Sequence, residues 1–533
     1  MDMPANAKTQ TISGKKYVFI DTPYWNAEKH RGEHKRRYIG KIVEGQFVPN
    51  GKYLLSLEKS GTIKPGPVPV TECKRQFYGA TYLLDQIGDK LGIVDDLKVS
   101  FPDKYKQLLS LAYFFVLEEG MSAYRLRKWA LTHKHPYGRD IPSQWISELM
   151  GSIDEASKMN FFRRQARRRV EKEFLAFDTT SISSYSELIK FAKYGKNKEG
   201  DHLPQINLAL LYGEVSRLPV YFRKLTGNTA DVSLIRNLML DIDFLDMKKL
   251  SFVMDRGFYS EKNINDLMKH HHKFLIGIRC GLKIARKHLD EVRGEKLTSW
   301  ENYNDDVGLY AMSFTDEWDY REEQPGTGKC VCDKRRVYVH VYFNDQRCTD
   351  ERLSFAKYLT CLQDELKSGK KAEGHLRDYD KYFVVSETPK KGLHIVPNGD
   401  AIREHQRDFG YFVLLSNGIK DPEEAIKLYR VRDLIEKAFA NLKERLDMRR
   451  MSVSSSENFE GKLFVQFLAL IYLSYIKKQM DENGLYKKYT MQTLLDNLDI
   501  IELYQQPGRA HHLSEITKKQ MALYDAMGVP FPK

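Results

Sequence analysis

The sequence has few cysteines, no long uninterrupted apolar run and no recognisable leader, and each absence excludes a class of protein. Six cysteines in 533 residues are too few for a disulfide scaffold, so we expect reduced thiols. The two most apolar runs, 108–117 and 463–476, are shorter than the roughly 20 residues of a spanning helix. The opening MDMPANAKTQ lacks the apolar core of a secretory signal. We therefore expect no membrane association and a cytoplasmic location.

What is present is positive charge on an ordinary globular composition. Lys and Arg total 85 against 72 Asp and Glu, which gives a formal net charge of +13 and a pI near 9.1. Hydrophobic residues make up 42% of the chain, which excludes a mainly disordered protein. A basic balance of this size favours polyanionic partners, nucleic acid first and an anionic membrane surface second.

Four of the cysteines are close in sequence: Cys330, Cys332, Cys348 and Cys361. Only one residue separates the first two, whereas structural zinc usually has two to four residues between paired thiolates. The sequence favours plain thiols over a zinc site and leaves the second interpretation open.

The amino-terminal third divides into two regions. In residues 1–60, the segments YVFIDTPYW and KRRYIGKIV predict a basic β-hairpin, which is either solvated or a DNA contact. The Pro- and Gly-rich stretch 61–70 predicts a linker. Residues 71–170 show helical periodicity, and their last helix has Asp154 as its expected cap.

Arginines dominate one face of that last helix: Arg163, Arg164, Arg167 and Arg168. Arginine without interleaved glutamate is unusual for a merely solvated face and is typical of phosphate contact. We therefore predict that residues 71–170 are a helical DNA-binding region.

The next segment changes to strands. FLAFD, ending at Asp178, and LSFVMD, ending at Asp255, are apolar runs typical of buried strands, and QINLALLY with LPVYFRKL predicts a hairpin between them. A helix over about 232–245 and a further strand KFLIGIR complete the series. Three strands, a helix, a strand, a helix and a strand is the ribonuclease H-like order, so we predict an α/β fold whose core begins at 171–280.

Three further regions follow in the predicted organisation. Residues 281–408 predict a β-rich insertion, and residues 409–500 predict the second part of the core, with the buried strand FGYFVLLSN and one long helix from Asp421 to about Asp447. Asp421, Pro422 and two glutamates are strong start signals for that helix. Residues 501–533 are predicted to be a carboxyl-terminal tail.

Two strand ends and one helix carry the candidate chemistry. Asp178 and Asp255 are either turn formers or paired carboxylates at a sheet edge, where they would hold Mg²⁺. At 100° per residue, Tyr429, Arg432, Glu436 and Lys443 lie within about 60° of each other on the predicted helix. This stripe follows the boundary between the core face and the solvent face, where a substrate can reach it.

The spacing Y-x2-R-x3-E-x6-K resembles the signature of the insertion-sequence DDE transposases of the type-four group. The segments DTTSISSYS, starting at Asp178, and DRGFYSEKNI, starting at Asp255, resemble the two aspartate motifs of the same group. Asp178 and Asp255 are 77 residues apart, and Glu436 follows after another 181, a separation that the insertion explains.

The resemblance implies a metal-binding triad of Asp178, Asp255 and Glu436 with two Mg²⁺ or Mn²⁺ ions, and transposon-end contacts by Tyr429, Arg432 and Lys443. It also implies cleavage and strand transfer on double-stranded DNA, at terminal inverted repeats and a target, within a homodimer located at a bacterial or archaeal nucleoid. Two alternatives stay open: a metal-dependent nuclease of the same fold that does not join strands, and a non-catalytic DNA-binding protein.

Overall fold

Four β-sheets connected by α-helices make up the part of the chain that the computed structural model describes. The described residues are 3–12, 14–26, 31–43, 45–59, 74–169, 173–184, 189–195, 203–229, 234–247, 249–323, 330–388, 392–446, 448, 450–451, 455–506 and 510–533. The predicted linker 61–70 lies outside them.

The amino-terminal region is a small antiparallel sheet with one helix. Its elements are β1 (Ala7–Ile12), β2 (Lys15–Asn26), β3 (Arg31–Val43), β4 (Gln46–Pro49) and α1 (Gly51–Lys59). The predicted hairpin is β2–β3, and the sheet order is β1-β2-β3-β4. The hairpin prediction was therefore too small by two strands. Val18, Ile39 and Phe47 form the buried core of this sheet.

The second region is helical, as predicted. Its elements are β5 (Lys74–Phe77), α2 (Gly79–Lys90), α3 (Ile93–Ser100), α4 (Tyr105–Leu117), α5 (Leu126–Thr132), α6 (Ser143–Gly151) and α7 (Glu155–Arg169). The carboxylate of Asp154 accepts a hydrogen bond from the Ser157 amide at 2.8 Å, so it caps α7 as expected. Every residue of α4 from Leu108 to Leu117 is buried.

The central sheet begins with the predicted strand series. Its first elements are β6 (Phe174–Ser184), β7 (Gln205–Gly213), β8 (Pro219–Thr226), α8 (Leu234–Phe244), β9 (Ser251–Met254), α9 (Glu261–Lys269) and β10 (Lys273–Ile278). These strands have the spatial order β8-β7-β6-β9-β10. The β6–β7 and β7–β8 pairs are antiparallel, whereas β6–β9 and β9–β10 are parallel.

The segment 281–408 differs from the predicted β-rich insertion. Its elements are α10 (Lys283–Val292), β11 (Tyr303–Asn304), β12 (Leu309–Glu323), β13 (Cys330–Phe343), α11 (Asp345–Ser368), α12 (Leu376–Tyr382), β14 (Phe383–Thr388), β15 (Gly392–Pro397) and α13 (Gly399–Gln406). Helices account for as much of it as strands, and β12 and β13 extend the central sheet instead of forming a separate one. The alternating RRVYVHVYF pattern indicated a strand, but it could not show which sheet the strand joins.

The carboxyl-terminal part adds strands and helices to both the central sheet and the helical region. Its elements are β16 (Tyr411–Ser416), α14 (Pro422–Tyr429), α15 (Arg432–Glu444), β17 (Arg450–Met451), α16 (Ser456–Glu482), α17 (Met491–Asp499), β18 (Glu502–Gln505), β19 (His512–Leu513) and α18 (Lys518–Ala526). Strand β16 pairs antiparallel with both β10 and β13. The predicted tail is wrong: β18 pairs with β5, and the Tyr524 hydroxyl donates to the Gly79 carbonyl at 2.8 Å.

Helix α16 is the central helix of the fold. By length and composition it is able to span a membrane, yet 94% of its apolar stretch is buried inside the protein. It packs against α4, α6 and α15, and so joins the helical region to the helix that follows the last core strand. Because protein surrounds α16, its apolar composition is explained by its place in the core of the fold.

Candidate active site

Asp178 and Asp255 occupy matching positions on two neighbouring parallel strands. The parallel register pairs Phe177 of β6 with Met254 of β9, so the two aspartates are the next residues along each strand. Neighbouring strands lie about 4.8 Å apart, and residues in register lie on the same face. The prediction that Asp178 ends its strand is wrong, because β6 continues to Ser184; only its parallel pairing with β9 stops there.

The helix that carries the candidate glutamate is interrupted. Instead of one long helix, α14 ends at Tyr429 and α15 begins at Arg432. Between them the amides of Val431, Asp433 and Leu434 donate to the carbonyls three residues back, which is a 3₁₀-type turn. Side chains three residues apart eclipse in such a turn, and this brings Arg432 against Tyr429. The predicted capping by Asp421 is confirmed, since its carboxylate accepts from the Glu424 amide at 2.8 Å.

Arg432 lies at the centre of the candidate site. Its Nη1 donates to Asp255 Oδ1 at 3.0 Å and to the Tyr429 hydroxyl at 2.8 Å, and its Nη2 donates to Glu436 Oε1 at 3.1 Å. The Tyr429 hydroxyl in turn donates to Asp255 Oδ1 at 3.2 Å. Burial works to lower the pKa of Arg432, but Tyr429 and the charges of Asp255 and Asp178 outweigh it, so the net pKa is raised. One guanidinium therefore interacts with all three predicted acids.

The exposure of these groups differs in a way that suits a site open to substrate on one side. The side chain of Arg432 is 17% exposed, that of Asp255 is 37% exposed and that of Glu436 is 57% exposed. Burial raises the pKa of Tyr429 to about 12, so its phenol stays protonated at neutral pH and remains a hydrogen-bond donor.

The three carboxylates fit a divalent cation by donor chemistry. Mg²⁺ and Mn²⁺ prefer carboxylate oxygens, and two of these carboxylates, Asp255 and Glu436, already pair with one cation, the Arg432 guanidinium. Among the described residues, no three His, Cys, Asp or Glu side chains stand close enough together to hold a metal as they are placed. In the described part of the chain the cysteines at 330–361 likewise form no cluster that could hold zinc.

Gly277 is a residue that the sequence patterns did not single out. It lies in β10, and a Cβ atom built on it would stand 2.6 Å from the Tyr429 hydroxyl and 3.3 Å from the Arg256 amide. The glycine thus makes room for the hydroxyl that bonds to Asp255. The only sequence signal was a glycine inside an apolar strand, which indicates close approach of another group.

A cleft of about 1070 Å³ opens beside Asp255, Tyr429 and Arg432. Its far wall comes from the segment 281–408, and basic side chains line it: Arg256, Arg279, Arg286, Arg347 and Lys381. Sequence analysis singled out none of them, although Arg256 directly follows Asp255 in the second aspartate motif; the other four lie outside the motifs along the chain. Two of them are neutralised in part, since Arg286 pairs with Asp408 and Arg347 pairs with Glu351.

The remaining predicted DNA contacts lie elsewhere. Lys443 is on α15, seven residues after Glu436 and partly buried. On α7, Arg168 makes two hydrogen bonds of 2.9 Å to the buried Asp96, and Arg164 is 4.0 Å from the same carboxylate. Arg163 donates to the Phe244 carbonyl at 2.8 Å, and Arg167 lies 3.4 Å from Asp246. The structure does not bring the α7 arginines to the triad.

Comparison with known proteins finds a family whose model covers the residues of this site. A family model described as a transposase DDE domain matches residues 169–472. Among solved structures, the chain is similar to the cryo-electron microscopy structure of a piggyBac transposase synaptic complex with hairpin DNA, with 11% sequence identity and a TM-score of 0.35. That match covers 84% of this chain and 75% of the other. No curated protein compared with the chain matches it.

Proposed function

The chain belongs to the transposase DDE domain family, and on this premise we propose that it binds the ends of a mobile DNA element, cleaves them and joins them to a target. The substrate is double-stranded DNA, both the terminal inverted repeats and the target site. Two copies of the chain hold two ends in the reacting complex.

The catalytic core in this proposal is ribonuclease H-like. The spatial order β8-β7-β6-β9-β10, with an antiparallel first half and a parallel second half, supports this assignment. In such a sheet, side chains at the carboxyl ends of adjacent parallel strands share one edge, where a pocket forms. Asp255 follows the last residue of β9, and Asp178 lies beside it at the point where the parallel pairing of β6 with β9 stops, although β6 itself continues to Ser184.

The observation that supports the proposal is the link between two motif acids through Arg432, with the third beside them. Asp255 and Glu436, from β9 and α15, both accept hydrogen bonds from the Arg432 guanidinium. Asp178 is in register with Asp255 on the neighbouring strand, and its charge contributes to the raised pKa of Arg432.

The proposed chemistry is phosphodiester cleavage followed by strand transfer. Asp178, Asp255 and Glu436 would hold two Mg²⁺ or Mn²⁺ ions, which supply activation of a water or 3′-hydroxyl and stabilise the leaving oxygen of an in-line displacement. Arg432, released from the acids, then binds a phosphate of the strand near the cut. Tyr429 remains a neutral donor and orients Asp255, and Lys443 binds the backbone farther along α15.

The cleft beside the site gives the DNA strand a route. Arg279 and Lys381 both line it, and neither makes an ion pair with a carboxylate in the described part of the chain. Positive charge in a groove attracts the phosphate backbone without reading sequence. We therefore place the strand next to the cut in this cleft.

Incubation of the purified chain with Mg²⁺ and DNA carrying the repeats that flank its gene tests the proposal. Joined product is expected, seen as a labelled end linked to target DNA. Cut product without joining would instead identify a nuclease of the same fold, and binding with neither product would identify a non-catalytic DNA-binding protein. A Glu436→Gln variant is the control for contaminating nucleases.

A further inference from the structure

The outer part of the β2–β3 hairpin pairs with no other strand in the described region. β1 accompanies β2 only as far as Ile20, and β4 accompanies β3 only from Gly40 onward. Beyond these points the described residues 21–26 and 31–37 form a two-stranded antiparallel ladder. We call these two segments the bare ribbon.

Both faces of the bare ribbon are open to solvent. Helix α1 covers the rest of the sheet, where Tyr53 packs on the small core. In the ribbon, residues 22–25 and 34–37 are all exposed, and the Trp25 side chain is 66% exposed. An isolated two-stranded hairpin is only marginally stable in water. An exposed tryptophan on such an element indicates a surface that a partner covers.

The charges on the ribbon fall into three sets, of which the first is Asp21 with Lys8 and His34, each 3.4 Å from its carboxylate. Near its outer end, Glu33 accepts hydrogen bonds from Tyr24, Asn26 and Arg31, and this holds the two strands together. In contrast, none of the consecutive cations Lys35, Arg36 and Arg37 makes an ion pair with a carboxylate in the described residues. The hydrogen-bond acceptors of the two arginines are neutral, Gln10 for Arg36 and Ser56 for Arg37.

These three cations project from both faces of the ribbon. Arg36 is opposite Asp21 and lies over the Phe19 ring, 5.1 Å from its centroid, on the face away from α1. Lys35 and Arg37 are on the other face, because successive side chains of a strand alternate. The ribbon therefore carries positive charge on each of its two sides.

We propose that the bare ribbon inserts into the major groove of double-stranded DNA. The major groove is about 12 Å wide and admits a two-stranded ribbon, and it is flanked by a phosphate backbone on each side. Lys35 and Arg37 then contact one backbone and Arg36 the other, with Trp25 against base edges. Single-stranded DNA fits less well, because it offers only one phosphate backbone to cations that project from both faces of the ribbon. The proposal rests on the proposed function only for the choice of terminal-repeat DNA.

Binding in EDTA tests the ribbon without any catalytic step. We compare the full chain with the triple variant Lys35→Gln/Arg36→Gln/Arg37→Gln, using duplexes of the flanking repeats and a scrambled duplex of equal length. The matched control is Lys15→Gln/Lys16→Gln/Lys52→Gln, which removes the same charge from exposed positions of the same amino-terminal region, two on β2 and one on α1, away from the ribbon. Circular dichroism melting confirms that each variant is folded.

We expect the ribbon variant to lose about tenfold or more in duplex affinity, and its slope of log affinity against log salt to fall by about two to three, one unit per lost phosphate contact. The control should lose less than one unit. Dimethyl sulfate protection of guanine N7, an atom of the major groove, should be present with the full chain and absent with the ribbon variant.

An unchanged salt slope, equal losses in both triple variants, or N7 protection that persists in the ribbon variant would overturn the proposal. The proposal would also be overturned if single-stranded DNA displaced a bound duplex from the protein as effectively as a competing duplex does. Loss of duplex binding in a protein that neither cuts nor joins DNA would leave the ribbon assignment standing while refuting the proposed function.

Discussion

At the candidate active site, which we call the triad edge, charged side chains are paired within the chain, whereas the cations of the bare ribbon are not. At the triad edge the acids are bound to a cation of the same chain, since Arg432 bridges Asp255 and Glu436. On the ribbon, Lys35, Arg36 and Arg37 meet no carboxylate in the described residues. A paired site has to exchange its partner before it acts, whereas an unpaired one is ready for phosphate.

We interpret the paired region as the site of the reaction and the unpaired one as a surface for binding DNA. A partly buried charge is costly without a partner, and Arg432 provides one for Asp255; in the proposed function, metal and DNA would take its place. Exposed cations cost little in water and act at a distance, so the ribbon needs no internal partner. Substitutions at the triad edge should therefore change rate and stability, and substitutions on the ribbon should change affinity and its salt dependence.

The largest expected effect is the loss of cleavage when a triad acid becomes its amide. Asp178→Asn, Asp255→Asn or Glu436→Gln should each lower the cleavage rate by about a thousandfold or more, because a neutral amide is a poor ligand for Mg²⁺. End binding measured by gel shift should stay nearly unchanged. Asp433→Asn, an exposed acid on the same helix, is the control. Wild-type cutting by any amide variant removes that residue from the triad.

A second effect concerns the stability of the paired acids without metal. Arg432→Gln should lower the free energy of unfolding in EDTA by on the order of 1 kcal/mol, since Asp255 keeps only the hydrogen bond from Tyr429 and the exposed Glu436 loses its cation. Mg²⁺ should restore more stability to this variant than to the wild type, because the ion no longer competes with a guanidinium. Thermal melts with and without Mg²⁺ measure both quantities. Equal Mg²⁺ effects in the two proteins would show that Arg432 does not compete with metal; Lys437→Gln is the control for charge alone.

The α7 arginines test whether a predicted DNA face is already used inside the protein. Arg168→Gln should cost about 2 kcal/mol of unfolding free energy, because it weakens the pairing of Asp96, which is 1% exposed. Arg167, which is 64% exposed and pairs only at the surface, should change stability little when replaced by Gln. Chemical denaturation and DNA titrations of both variants separate the roles. If both variants lose DNA affinity equally and neither loses stability, the prediction that the whole arginine face of α7 contacts DNA stands.

A smaller effect should follow from filling the space at Gly277. Gly277→Ala pushes the Tyr429 hydroxyl away from Asp255, and we expect about a tenfold lower cleavage rate, similar to that of Tyr429→Phe. The double variant should be little worse than either single variant, because both remove the same hydrogen bond. Gly281→Ala is the matched control, since a Cβ there meets nothing within 4 Å. Additive losses would separate the glycine from the tyrosine.

The sequence was informative where a physical signal is local. Apolar runs located β6, β9 and β16, and the apolar spacing on α15 predicted the burial of Ile435, Ala438, Phe439 and Leu442. The motif acids were found from residue types and spacing alone, and their roles stay predictions.

Signals that depend on distant contacts were missed. No Pro or Gly marks the turn between α14 and α15, so the predicted long helix was wrong there. The pairing of β18 with β5 joins segments more than 400 residues apart, and no local pattern reports it. The extent of strand pairing in the amino-terminal sheet, which leaves the ribbon bare, likewise depends on where β1 and β4 stop.

The smallest expected effect is that of replacing Lys443, which is a cation like those of the bare ribbon but lies on α15 with Glu436. It shares the helix of Glu436 but lies two turns, about 10 Å, farther along the axis, so we expect it to contact the DNA backbone and not the metal site. Lys443→Ala should weaken matched and scrambled duplexes alike and lower the salt slope by about one, against two to three for the ribbon variant.

Salt titrations of wild type and Lys443→Ala on both duplexes measure this, with Lys437→Ala as the control on the solvent side of the same helix. A phosphate contact carries no sequence information, so the ratio of matched to scrambled affinity should not change. A loss confined to the matched duplex would make Lys443 a base-reading residue. An unchanged slope would make it a structural lysine at the edge of the core, and DNA contact near the cut would then rest on Arg432 and the cleft.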